Sequence, residues 1–245
     1  MRQDEVTLND AVEDLFGLSF RAIATVRALI VRPAEYYAAA RVKDWEGRFT
    51  PSMRMWLSLF ALLSLLQFIW LGPDSPMVAA TATSVDDAGL DLPAGMTAEQ
   101  LSEKIYVTVY AAFPVVALCG LTLGGLLFPF WGKGQTAGTR LRSTFATVIP
   151  STFMSVALTT LTVVLSRDQL GPLPLAALFI AALLDFVTAA RGAFPGSHAF
   201  LRVLRALVLA AWIGGINFAV SIASQFAGFA VVTVQTGVPL VFRGG

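Results

Sequence analysis

Five long apolar runs, at residues 55–71, 105–131, 145–165, 173–188 and 204–234, constrain this chain more than any other feature. A hydrocarbon core about 30 Å thick needs roughly 20 helical residues to cross it. Within lipid only helices and closed barrels satisfy their own backbone hydrogen bonds, and continuous runs lack the two-residue alternation of barrel strands. The sequence therefore predicts an all-α polytopic membrane protein, with a bundle of five transmembrane helices over residues 55–234. Hydrophobic residues make up 56% of the chain and charged residues only 13%, which sets it apart from an ordinary soluble domain.

The formal net charge of +1 hides a segregation of sign. Residues 1–54 hold eight Lys/Arg and eight Asp/Glu. The connection 72–104 carries Lys104 against Asp74, Asp86, Asp87, Asp91, Glu99 and Glu103. The next connection has Lys133, Arg140 and Arg142 with no acid, and the one after it Arg167 and Asp168. Arg191, Arg202 and Arg205 precede the last run, and the tail 235–245 has Arg243. Basic residues in short loops stay on the cytoplasmic side, whereas acids count for little. Counted by alternate sides, fourteen bases face three. The expectation is a cytoplasmic N-terminus, an outside loop at 72–104 and a short outside tail. The fourth run is short and contains Asp185; a re-entrant hairpin there would return the tail to the cytoplasm.

The chain starts MRQDE and shows no short apolar leader, so the first span is expected to serve as its own targeting signal. The lone Cys119 excludes an intrachain disulfide. Fourteen of the 17 basic residues are arginine, which with the Ala/Val/Leu richness suggests a GC-rich bacterial genome and hence an inner membrane.

Residues 6–31 carry helical periodicity. Leu8, Val12, Leu15, Phe16, Leu18, Ile23, Val26 and Ile30 form an apolar face, with Asp10, Glu13, Asp14, Arg21 and Arg27 at polar positions. Arg32-Pro33 ends the pattern. This cytoplasmic amphipathic helix either lies in the lipid interface or docks on the ends of the spans. Tyr36, Tyr37, Arg41, Lys43, Trp45 and Arg48 continue as a basic, aromatic stretch suited to the headgroup level. Acids and bases in this segment match in number, so it is not a nucleic-acid surface.

Trp56 and Trp70 bracket the first span as interface anchors. Thr97-Ala-Glu-Gln100 has the spacing of a capping box, placing a helix start near Ala98. Pro114 removes a backbone donor inside the second span. Gly120 and Gly124 stand four apart, a spacing that lets a second helix approach closely. The third span has a polar stripe of Thr144, Thr147, Ser151, Ser155, Thr159 and Thr162. The fifth has Gly214, Asn217, Ser221, Ser224 and Gly228, with Gln225 adjacent. Such residues share a helix face. They serve either as packing glue, at about 0.6–2 kcal/mol per hydrogen bond, or as a polar pathway through the bundle.

Asp185 is the sharpest single residue, because an acid within a span costs on the order of 3 kcal/mol on insertion scales. It is either a boundary carboxylate paired with Arg191 or another base, or a proton- or substrate-linked group. His198 lies in a GAFPGSHAF loop and reads as solvated. One histidine and one cysteine make no zinc site, and no cofactor is implied.

The stretch GKGQTAGTRLRSTFATVIPSTF, residues 132–153, resembles the glycine-containing cytoplasmic turn, basic helix start and in-span proline (here Pro150) of the Yip domain family. That family comprises five-span proteins known for interaction with Ypt/Rab GTPases. AARGAFPGSHAFLRVLRALVLA, residues 189–210, is similar to the family's second cytoplasmic turn. The R-P-x-x-Y-Y segment at 32–37 resembles the approach to the first span in bacterial relatives. The resemblance covers about three quarters of the chain. It implies a cytoplasmic N-terminus, five helices and no enzymatic activity, without carrying over a Rab-binding role.

Two function classes stay open. One is a non-enzymatic scaffold or partner-binding subunit, working with a protein partner or as a homo-oligomer in the lipid bilayer. The other is a small transporter, channel or lipid-moving protein using the polar stripes. No nucleophile–base pair supports an intramembrane enzyme.

Overall fold

The computed structural model describes residues 20–45, 48–70, 75–87, 92, 95–132, 134–162 and 173–237. Among the described residues there are helices and no strands. Two short helices, α1 (Phe20–Val31) and α2 (Pro33–Val42), precede the first long one, α3 (Ser52–Trp70). Then follow α4 (Pro76–Asp87), α5 (Ala98–Leu127), α6 (Ala137–Thr162), α7 (Leu173–Gly192) and α8 (Ala199–Thr236). Five of these, α3, α5, α6, α7 and α8, are long and apolar enough to cross a membrane. The chain is an integral membrane protein of the five-helix kind.

Local chemistry explains the element ends. Thr97 accepts from the Gln100 backbone N–H at 3.3 Å, and the Gln100 side chain accepts from the Thr97 N–H at 3.1 Å. This reciprocal cap starts α5 at Ala98. Proline at the first position of α2 removes a donor that would have no acceptor there. At its end Lys43 takes a left-handed conformation, φ 60°, and its N–H closes on the Ala39 carbonyl.

Packing divides the bundle into two seams. α8 lies along α5 and α7, while α6 lies along α3 and α7. The main core sits toward the end where α1 and α2 dock, with Tyr36, Tyr37, Trp56, Phe128 and Phe145 fully enclosed. A second cluster at the opposite end joins Val85 of α4, Leu101 and Ile105 of α5, and Val232 of α8. With 38 residues, α8 is about 57 Å long at 1.5 Å per residue. That is nearly twice the hydrocarbon thickness, so α8 reaches both clusters.

The last carbonyls of a helix have no donor in their own helix and carry the negative end of its dipole. Around α1 and α2 these carbonyls are met by arginines from other elements. Arg191 of α7 donates to the Ile30 and Val31 carbonyls at the end of α1, at 2.9 and 2.7 Å. Arg142 of α6 donates to the Ala40 and Arg41 carbonyls near the end of α2. Arg41 of α2 donates to the Gly192 carbonyl at the end of α7, at 2.7 Å. Arg140 of α6 reaches the Leu126 carbonyl near the end of α5, at 3.3 Å. Bases expected to set orientation therefore also close helix ends.

Four expectations need correction or completion. Segment 72–104 is not all loop, because it contains α4; Val78, Ala82 and Val85, at helical spacing, bury one face. Trp56 is not an interface anchor: it is 2% exposed and packs on Phe60 and Phe145. Trp70 ends α3, and its side chain lies outside the described residues. The fourth run is a single uninterrupted helix, not a re-entrant hairpin. Of the amphipathic helix expected over 6–31, residues 6–19 lie outside the described residues. Its described part, α1, buries Ala22, Val26 and Leu29 in the core and leaves Ile23, Ile30 and Val31 exposed.

Candidate functional site

Gly120 and Gly124 of α5 form the contact with α8. A side-chain carbon at Gly120 would lie 2.6 Å from Val220 Cγ2, and one at Gly124 would collide with Ile216. The close approach is locked by Trp212, whose indole N–H donates to the Gly124 carbonyl at 3.0 Å. Gly228 is pressed in the same way against Val109, with α5 backbone atoms 3.4 Å from an added carbon. Gly214 differs: nothing lies within 4 Å of a side chain built there.

The α6 stripe turns inward on its own helix. Thr144, Thr147 and Ser155 donate to the carbonyls of Arg140, Ser143 and Ser151 one turn back, at 2.9–3.0 Å. Ser151 donates to the Val148 carbonyl at 3.0 Å. Such local bonds satisfy a hydroxyl without any partner on another helix. Thr159 lies two turns beyond Ser151, half-buried.

Asp185 of α7 is 4% exposed. The Ser151 hydroxyl of α6 and the Tyr37 phenol of α2 are both within its electrostatic reach. Its Oδ1 is buried with no hydrogen-bond partner. The expected pairing with Arg191 does not form, because that guanidinium is taken up by the α1 carbonyls. Tyr37 in turn shares a 2.6 Å hydrogen bond with Thr147. Alongside, the Tyr36 phenol donates to the Thr50 carbonyl at 2.7 Å, and the Thr50 N–H donates to the Thr25 hydroxyl at 2.8 Å. Burial pushes both phenols above the ordinary tyrosine range. The result is a buried polar knot between α2, α6 and α7, with a lone carboxyl beside it.

The α8 stripe behaves differently. Ser224 is buried with its hydroxyl unpartnered, whereas Asn217, Ser221 and Gln225 are exposed. Ser221 and Gln225 line a cavity of about 380 Å³ with Gln67 of α3, Thr81 of α4, and Tyr106 and Tyr110 of α5. Thr81 and Tyr106 share a 3.0 Å hydrogen bond on its wall. The sequence reading singled out Ser221 and Gln225 but missed Gln67, Tyr106 and Tyr110. The four-residue spacing of the two tyrosines, which stack at 5.9 Å between ring centres, was the available signal. The α6 and α8 stripes do not share a packing seam, so Ser151 and Ser221 face different neighbours.

Lone His198 is exposed and flanks the start of α8 without capping it. Among the described residues no group of three His, Cys, Asp or Glu is disposed to hold a metal ion. The class defined by this architecture is a five-helix integral membrane protein with a buried carboxyl. Compared with protein-family models, curated proteins and solved structures, the chain gives no match.

Proposed function

We propose that this protein acts by binding, as a non-enzymatic scaffold or partner-binding subunit of a membrane complex. The observation that carries the reading is the inward closure of the α6 stripe. Thr144, Thr147, Ser151 and Ser155 donate to carbonyls of their own helix, so their protons are committed locally, and Asp185, the one buried acid among the described residues, has no second buried carboxyl to relay to. Proton and substrate pathways in membranes usually string several such groups together. We also propose that the fourteen-to-three asymmetry of bases sets a cytoplasmic N-terminus, an outside C-terminus and an inner-membrane location. Membership of the Yip family is proposed on the turns at 132–153 and 189–210 and the segment at 32–37.

The second reading, a small transporter or lipid-moving protein, draws on the cavity that Gln67, Tyr110, Ser221 and Gln225 share. One experiment separates the two. Purified wild-type and Asp185→Asn proteins are reconstituted in liposomes and assayed for proton, ion and lipid movement, while their complexes are recovered from native membranes after crosslinking. The binding reading expects no Asp185-dependent movement and a crosslinked partner or second copy retained in both forms. Movement by the wild type that is lost in Asp185→Asn with folding intact establishes the transporter instead.

A further inference from the structure

At the α1–α2 end of the bundle, the α5–α6 and α7–α8 turns enclose a cavity of about 410 Å³. Its walls are cationic and hydroxylic. Arg41 enters from the end of α2 and Arg205 from the second turn of α8, with Thr136, Thr139 and Ser197 between them. No acid lines it. Trp131 and Phe194, with ring centres 5.8 Å apart, supply an apolar wall.

The two guanidiniums are only partly used. Arg41 gives one terminal N–H to Gly192, and Arg205 gives one to the Ser197 hydroxyl at 3.1 Å. The Nε atoms of both are buried with no acceptor. The Gln135 Oε1, also on the wall, is a buried acceptor with no donor. Burial alone works against the Arg41 charge. A buried guanidinium N–H without an acceptor is costly, and two like charges bordering one cavity add to the cost. The remedy is a ligand with several anionic oxygens for the arginines and a hydroxyl for Gln135.

Backbone geometry adds to the same polarity. α6 and α8 both begin at this cavity, where the positive ends of their dipoles favour an anion. Gly132 and Gly134, at φ 98° and 82°, allow the turn to fold tightly around the space.

We propose that this cavity binds a phosphoryl group bearing a hydroxylated substituent, held between Arg41 and Arg205. Guanidinium groups match phosphate oxygens geometrically and stay charged. Two sources share this chemistry: the glycerophosphate headgroup of an anionic lipid and a soluble phosphate ester. The inference goes beyond the binding reading and stands whether the protein is a scaffold or a transporter.

The test uses the full-length protein in two arms. In the first, protein in phosphatidylcholine nanodiscs doped with phosphatidylglycerol is analysed for retained lipid by native mass spectrometry. In the second, protein in phosphatidylcholine nanodiscs is titrated with glycerol 3-phosphate and with inorganic phosphate by calorimetry. The variants are Arg205→Gln, which spares the Arg41–Gly192 helix closure, and Arg202→Gln, an exposed arginine outside the cavity, as control. Binding in the first arm assigns the lipid and binding in the second assigns the soluble ester. In either, Arg205→Gln should weaken binding about tenfold or more, Arg202→Gln should not, and Arg205→Lys should recover part of the loss. No binding in both arms overturns the proposal, and so does equal weakening by Arg202→Gln and Arg205→Gln.

Discussion

Replacing Gly120 with alanine isolates the packing of α5 on α8. The new carbon would lie 2.6 Å from Val220 Cγ2 and 3.3 Å from Ile216 Cγ2. Carbon atoms settle at about 3.5–4.0 Å, so the shortfall at Val220 is about 1 Å. Val220 is β-branched, held in one rotamer by its helix, and 4% exposed. The relief must come from separating the helices, which also strains the Trp212–Gly124 hydrogen bond. Overpacking of this kind costs about 1–3 kcal/mol. Alanine is intrinsically better than glycine in a helix by about 0.8–1.0 kcal/mol, which partly masks that cost. Gly214→Ala supplies the control, since it has the same helical gain and open space around the new carbon. The difference between the two variants cancels the intrinsic term and leaves about 1–3 kcal/mol of packing. Stability is read from tryptophan fluorescence during denaturant titration in mixed micelles. If Gly120→Ala and Gly214→Ala shift the midpoint equally, the close α5–α8 seam is refuted.

Further outcomes follow from other parts of the molecule. In a Cys119→Ala background, a cysteine at position 87 should label with an impermeant reagent in intact cells and one at 136 should not; the reverse overturns the proposed orientation. Arg191→Ala should release the Ile30 and Val31 carbonyls at a cost of about 1 kcal/mol, read as faster amide exchange across Phe20–Val31 with exchange in α5 unchanged. Thr97→Ala should lose about 1 kcal/mol of cap, read as faster exchange confined to the first turn of α5. Tyr36 and Tyr37 ionise above the ordinary tyrosine value in the folded state. Their contribution to stability is therefore complete below pH of about 10 and falls as pH rises beyond it, where the unfolded chain ionises first. An ultraviolet titration of the wild type against Tyr37→Phe in micelles should show one phenol fewer in the late, unfolding-linked phase. An early phase that shrinks instead contradicts the burial of Tyr37.

The five spans were legible because length and apolarity are local properties that the bilayer reads directly. α4 was obscured by its flanks. Pro76, Asp86 and Asp87 suggest a loop, although Val78, Ala82 and Val85 carry the helical spacing that buries them. Trp56 looked like an anchor because its position near a span end was visible, whereas the docking of Phe145 against it was not. Asp185 stood out because its chemistry conflicts with its solvent. Its neighbours, Ser151 and Tyr37, come from other helices, and no periodicity encodes that meeting. Periodicity also placed the α6 hydroxyls on one face without revealing that they close on their own carbonyls. The arginines were counted as a topology signal, yet their second task depends on which helix end lies opposite each one.

Those arginine closures impose an order on biosynthesis. α1 and α2 leave the ribosome before the spans, but the groups that finish their C-terminal ends, Arg191 and Arg142, lie on α7 and α6. The end of α7 is in turn closed by Arg41, which has waited on α2 since early in translation. The amino-terminal helices thus remain open until most of the spans have been inserted, and then lock as the later ones arrive. A chain truncated before α7 would display bare carbonyls at the end of α1. The same contacts that complete the fold thus also mark its completion.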